Sequence, residues 1–161
     1  MKKILTAFAV FLSVAPAVFA DTAATATIIE VVDAGTLRVD YNGIEERLRL
    51  IGVVVPADTG NNGDGWSPQK ASDGVRSLVS PGTVLTLEFD LEQRDMQNNL
   101  EAYAYMQDNR NMNIMLNNAV LYWGFANTKA EPPNIKYAPL FNHSCQDAMM
   151  HSRGLWQYTT N

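Results

Sequence analysis

"TATIIEVVDAGTLRVDYNGIEERLRLIG", residues 25–52, holds the reading that decides the fold. "TATIIEVV" is rich in β-branched residues, and Asp33-Ala34-Gly35 can turn the chain. "TLRVDY" then alternates apolar with polar. Asn42-Gly43 follows, the strongest short hairpin signal, because both residues accept positive φ. In "EERLRLIG" Leu48 and Leu50 face one way while Arg47 and Arg49 face the other. Three consecutive antiparallel strands are therefore predicted.

Downstream, Pro56 ends the third strand, and residues 57–67 form a loop rich in glycine and asparagine. Ser67-Pro68 reads as an N-cap followed by proline at the first helical position, starting a helix that runs to about Val79. "VLTLEFD" (84–90) alternates with Leu85, Leu87 and Phe89 toward the core, and "EAYAYMQ" (101–107) is a fifth strand. Residues 111–126 show helical spacing at Met112, Met115, Leu116, Ala119 and Val120, with Gly124 as a stop. After a loop over 127–136, a third helix spans about Tyr137 to His151. Five short strands that begin as a meander favour a closed barrel, since an open sheet would leave bare edges.

The first twenty residues have two lysines, an uncharged apolar run and the small-residue ending Val18-Phe19-Ala20. They read as a secretory signal peptide cleaved after Ala20, so residues 21–161 form one exported domain, periplasmic or secreted. Cleavage removes two lysines and no acid, moving the formal net charge from −5 to −7. A surface that acidic repels a polyanion on average, so weak or no nucleic-acid binding is expected. The lone Cys145 rules out an internal disulfide, and it reads as a buried thiol.

In order and spacing, "ATIIEVVDAGTLRV", "RLRLIGVVVPAD", "FDLEQRD", "LEAYAYM", "MNIMLNNAVLYWGFAN" and "CQDAMMHSRGLW" resemble the thermonuclease family, typified by staphylococcal nuclease. The resemblance covers about Ala24 to Trp156. It implies an α+β fold, a five-stranded OB-type β-barrel with three helices, in agreement with the element order. It also implies cleavage of DNA and RNA with one calcium ion. Two aspartates would hold the ion, a glutamate would be the base for the attacking water, and two arginines would meet the charge building on the phosphate.

Set against that pattern, one functional side chain of five is kept. The family's Asp-Gly-Asp-Thr turn is here Asp33-Ala34-Gly35-Thr36, so Gly35 replaces a metal-binding aspartate. Val54 replaces the other, and Ala57 replaces the glutamate base. The first arginine is retained as Arg49, whereas Asn99 stands in place of the second. Asp33, Asp58 and Asp64 lie close enough in sequence to be rescue ligands; otherwise they are turn acids facing water.

Other groups have plainer readings. His143, Asp147 and His151 share one helix face at i, i+4 and i+8, which is read as a solvated polar face rather than a zinc site. Phe141, Cys145, Ala148, Met149 and Ser152 mark the core stripe. Tyr103, Tyr105 and Trp123 are read as core rather than as base-stacking platforms.

Two functions follow. In the first, calcium-dependent phosphodiesterase activity is lost, no cofactor or metal is expected, and the domain acts as a binding module toward a protein partner. In the alternative, an active calcium-dependent nuclease uses displaced acids around Arg49.

Overall fold

The computed structural model describes residues 23–57, 65–108 and 110–158. The predicted leader (1–20) and residues 58–64, with Asp58 and Asp64, lie outside the described residues. The strands are β1 (Ala24–Asp33), β2 (Thr36–Tyr41), β3 (Ile44–Leu50), β4 (Val53–Val54), β5 (Val84–Glu88), β6 (Leu100–Gln107), β7 (Asn113–Met115) and β8 (Asn127–Thr128). The helices are α1 (Pro68–Leu78), α2 (Leu116–Tyr122) and α3 (Ala138–Met150), with a closing 3-10 turn over Gly154–Tyr158.

Pairing runs β3-β2-β1-β5-β6, and β3 also pairs in parallel with β6 through Leu48–Leu100, Arg49–Glu101 and Leu50–Ala102. That contact closes five strands into the expected barrel. β1 makes closure possible by serving two neighbours. Ala24 to Thr27 pair with β5, and Thr27 to Asp33 pair with β2 across two register shifts. Such bulges add the local bend and twist that a small barrel needs. The β2–β3 hairpin turns at Asn42 (φ 56) and Gly43 (φ 80), as the dipeptide requires.

Alternate residues of β1, β2, β3, β5 and β6 point inward, among them Ile28, Leu37, Val39, Leu48, Leu85 and Ala102, all at most 1 % exposed. α1 starts where predicted, with the Lys70 N–H donating to Ser67 Oγ at 3.2 Å. α3 turns Phe141, Ser144, Cys145 and Ala148 inward. Met149 and Ser152, assigned to the core stripe from spacing, are exposed instead.

The expected helix over 111–126 is shorter. Residues 113–115 form β7, antiparallel to β6 with Tyr105 opposite Met115, and α2 begins only at Leu116. The cause is the turn before it. The Asp108 carboxylate accepts from the N–H groups of Arg110 and Met112, Asn111 takes φ 61, and the chain doubles back as a hairpin. Met112 is 61 % exposed in consequence. At the other end Gly124 (φ 69) stops α2 as predicted. A Cβ there would lie 2.3 Å from the Arg153 carbonyl oxygen. The segment 127–136, expected as loop only, contains β8, which pairs with β4.

α2 carries the fold's main internal polar anchor. Asn117 is fully buried; its Nδ2 donates to the carbonyls of Ile51 (3.0 Å) and Ala102 (3.1 Å), and its Oδ1 accepts from Ala104 N–H (2.9 Å). One amide thus clamps the end of β3 to β6, beside the residues that form the cleft described next. Among the described residues no helix is long and apolar enough to cross a membrane.

Candidate functional site

Arg49 sits near the end of β3, opposite Thr36 in β2 and opposite Glu101 in β6. The chain then turns through Ile51-Gly52 into β4, which brings Val54 alongside. Arg49, Val54 and Glu101, with Lys129, Glu131 and Asn134, line a narrow cleft of about 20 Å³. That is room for about one water, which needs ~10–15 Å³.

The cleft is charged on both walls. Arg49 Nη1 donates to Asp95 Oδ2 at 3.1 Å and lies 3.9 Å from Glu101 Oε1. Lys129 pairs with Glu131 at 2.7 Å. Asp95 is the most completely held of these acids, with its side chain only 8 % exposed. Its Oδ1 accepts from the N–H groups of Gln97 and Asn99, both at 2.9 Å. Its Oδ2 accepts from Arg49 and, at 2.8 Å, from the Asn99 side-chain amide. Burial alone would raise its pKa. The hydrogen bonds from Asn99, Arg49 and Gln97 outweigh that and hold the carboxyl below its usual range.

Glu101 is the reverse case. Burial pushes its pKa up, the Asp95 and Glu131 carboxylates add to the rise, and Arg49 and the Asn134 amide only partly oppose it. A carboxyl whose folded-state pKa is raised costs stability once it ionises. That stability is fully present below its ordinary value of 4.5 and is lost as pH climbs through the folded pKa. Glu101→Gln should therefore unfold at higher urea concentration than the wild type at pH 7, and the two curves should converge below about pH 4.5. A variant less stable at pH 7 contradicts this sign.

The positions singled out in the sequence divide clearly. Gly35 lies next to β4: a Cβ built on it would be 3.3 Å from the Val53 carbonyl oxygen and 3.4 Å from Val53 Cγ1. Its carbonyl accepts from Leu50 N–H, which fixes this turn beside the end of β3. The Asp33 carboxylate accepts from Gly35 N–H at 2.8 Å, an interaction local to the turn. Val54 reaches the cleft with no oxygen to offer, and Ala57 is exposed beyond it. Asn99 faces Asp95 rather than open space. Asp95, Glu101, Glu131, Lys129 and Asn134 were not among the sequence-derived site residues; their approach to Arg49 depends on barrel closure, which no local pattern encodes.

Calcium takes 6–8 oxygen ligands, usually with several carboxylates. The described residues around Arg49 do not suit it. Gly35 and Val54 supply no side-chain oxygen, and both Asp95 oxygens are engaged by donors. Among the described residues no three His, Cys, Asp or Glu side chains gather as a metal site. His143 and His151 stand on the outer face of α3, where Asp147 pairs with both His151 (3.3 Å) and Arg153. Cys145 is buried, and burial raises its thiol pKa to about 11.

Two further arginines of the barrel surface are engaged as well. Arg38 pairs with Glu30 (3.1 Å) and Glu45 (3.2 Å), and Arg94 grips both oxygens of Glu46 (2.8 and 3.2 Å). Tyr103 is buried with its hydroxyl donating to Asp90 at 2.7 Å, and Tyr105 is half-buried and donates to Glu88 at 2.7 Å. Trp123 departs from the core assignment: it follows the last turn of α2 and is 46 % exposed.

Against known proteins, a family model described as staphylococcal nuclease homologue matches residues 47–158. A thermonuclease of Staphylococcus intermedius is 29% identical over 127 residues, covering 79% of this chain and 73% of its own. A thermonuclease of Staphylococcus hyicus is 28% identical over 134 residues, covering 82% and 75%.

Proposed function

Because this chain belongs to the staphylococcal nuclease family, we propose that it is an exported member that has lost calcium-dependent phosphodiester cleavage and acts as a protein-binding module. The observation that carries this reading is the self-contained pairing of Arg49 and Asn99 with Asp95. An arginine stabilises a phosphate through donors that face it, and here a neighbouring carboxylate already takes up a guanidinium donor. The absence of a side-chain oxygen at Gly35, Val54 and Ala57 supports the same conclusion, since those positions then offer a divalent ion no carboxylate.

Surface charge supports a protein rather than a nucleic-acid partner. Non-specific affinity for DNA or RNA comes from basic groups that release counterions, and here Arg38, Arg49 and Arg94 are balanced by acids of the same domain.

The alternative of an active nuclease draws on Glu101, an acid beside Arg49 whose raised pKa would suit a proton acceptor. Among the described residues no metal-holding cluster accompanies it. Incubating the purified protein with DNA and with RNA, with and without Ca2+, separates the two readings. No metal-dependent cleavage is expected. Cleavage that requires Ca2+ and disappears in Arg49→Ala would establish the alternative.

A further inference from the structure

The start of α1, the turn after α2 and the closing 3-10 turn together enclose a pocket of about 140 Å³. It shares no lining residue with the Arg49 cleft. Its walls are apolar and aromatic: Trp66, Ala71, Phe125, Leu155 and Tyr158. Close backbone packing fixes its shape. A Cβ on Gly154 would lie 2.2 Å from the Gly124 carbonyl oxygen, and Leu155 N–H donates to that same oxygen at 2.8 Å. Phe125 packs against α1 at Gly74, where a Cβ would come within 2.5 Å of its ring. An apolar cavity of ~150 Å³ accepts a benzene ring, so this pocket has the size of one aromatic side chain.

The rim carries a sign. Among the described residues Lys70 is the only charged side chain that lines the pocket; its ammonium lies 5.2 Å from the centre of the Tyr158 ring and donates to Gly65 C=O at 2.7 Å. The one acid of α1, Asp73, is taken up by Arg76 at 2.8 Å. A cationic rim is therefore set into a chain of net charge −5, and it acts over about 8 Å in physiological salt. Tyr158, and Trp123 next to Gly124, are both exposed, and such aromatics are the side chains that most often anchor protein interfaces. We propose that this pocket is the protein-docking site, and that its occupant is one aromatic side chain in an acidic segment of the partner. The ring sits against Trp66, Phe125 and Tyr158, and a flanking carboxylate faces Lys70. This deepens the proposed function and rests on its protein-binding reading.

Trp66 reports on the pocket directly, because its indole is buried and, among the described residues, its Nε1–H has no hydrogen-bond acceptor. The experiment titrates the full-length mature protein with Ac-Glu-Glu-Phe-Glu-Glu-NH2, its Phe→Ala analogue and its Glu→Lys analogue, and follows the three tryptophan indole N–H signals by NMR. The acidic Phe peptide should shift the Trp66 signal saturably and bind at least about tenfold more tightly than the Ala analogue, the effect of burying one aromatic ring. Tyr158→Ala, which removes an exposed wall, and Lys70→Glu, which reverses the rim, should each weaken it by about threefold or more while the rest of the spectrum stays that of the folded protein. An unmoved Trp66 signal, equal binding of the Phe and Ala peptides, tighter binding of the Lys peptide, or unchanged affinity in Tyr158→Ala overturns the proposal. Such a failure leaves the loss of cleavage, and protein binding through another face, as they stand. Ca2+-dependent cleavage by the wild type removes the loss-of-cleavage reading without bearing on the pocket.

Discussion

Asn117→Ala should destabilise the domain by about 3–5 kcal/mol, a large part of the ~5–15 kcal/mol that holds a typical domain folded. The side chain is fully buried and makes three hydrogen bonds, all to backbone: the carbonyls of Ile51 and Ala102 and the N–H of Ala104. Alanine leaves those groups buried without partners, and each orphan costs roughly 1–3 kcal/mol. It also releases the end of β3 from β6, beside Arg49 and Glu101. Asn117→Asp should be worse, because it sets a carboxylate oxygen against two carbonyls and buries a charge. Urea unfolding followed by circular dichroism measures both. A loss below about 1 kcal/mol for the alanine variant would mean that water replaces the amide.

The second large effect is a gain. Gly35→Asp, Val54→Asp and Ala57→Glu together should give the protein calcium binding with Kd on the order of 10⁻³ M or tighter, above whatever the wild type shows. The backbone permits the first change: Gly35 has no left-handed φ, and its added Cβ meets Val53 atoms at 3.3 and 3.4 Å, a crowding that a few tenths of an ångström relieves. An aspartate at 35 then arises beside β4, whose residue 54 already lines the cleft. Isothermal titration with Ca2+ reads the result. A folded triple variant that binds no calcium would show that carboxylates at these three positions are not sufficient, and that the narrow, self-paired cleft excludes the ion.

How far the sequence carries this picture depends on the distance over which each feature is specified. The β2–β3 hairpin follows from Asn42-Gly43 and a two-residue period, both local, and α1 follows from Ser67-Pro68. β7 escaped because the apolar spacing of Met112, Met115 and Leu116 suits a helix face, while the competing signal was a turn built by Asp108 and Asn111. Trp123 escaped because an aromatic at the end of an apolar helix can face either way. Gly35, Val54, Ala57 and Asn99 were assigned to the family's site positions from order and spacing along the chain alone. The pairing of Asp95 with Arg49 was not legible there. Asp95 meets Arg49 across 46 residues and Glu101 meets it across the parallel β3–β6 closure, neither of which has a short-range signature. Asn117 likewise passes for an ordinary polar residue of a short helix until the barrel brings Ile51 and Ala102 to it.

The most direct test of the account is calcium titration of the wild-type protein, with DNA hydrolysis followed in the same samples. No saturable Ca2+ binding at the Arg49 cleft and no calcium-stimulated hydrolysis are expected. Saturable binding accompanied by hydrolysis, both abolished by replacing acids beside Arg49, would contradict it.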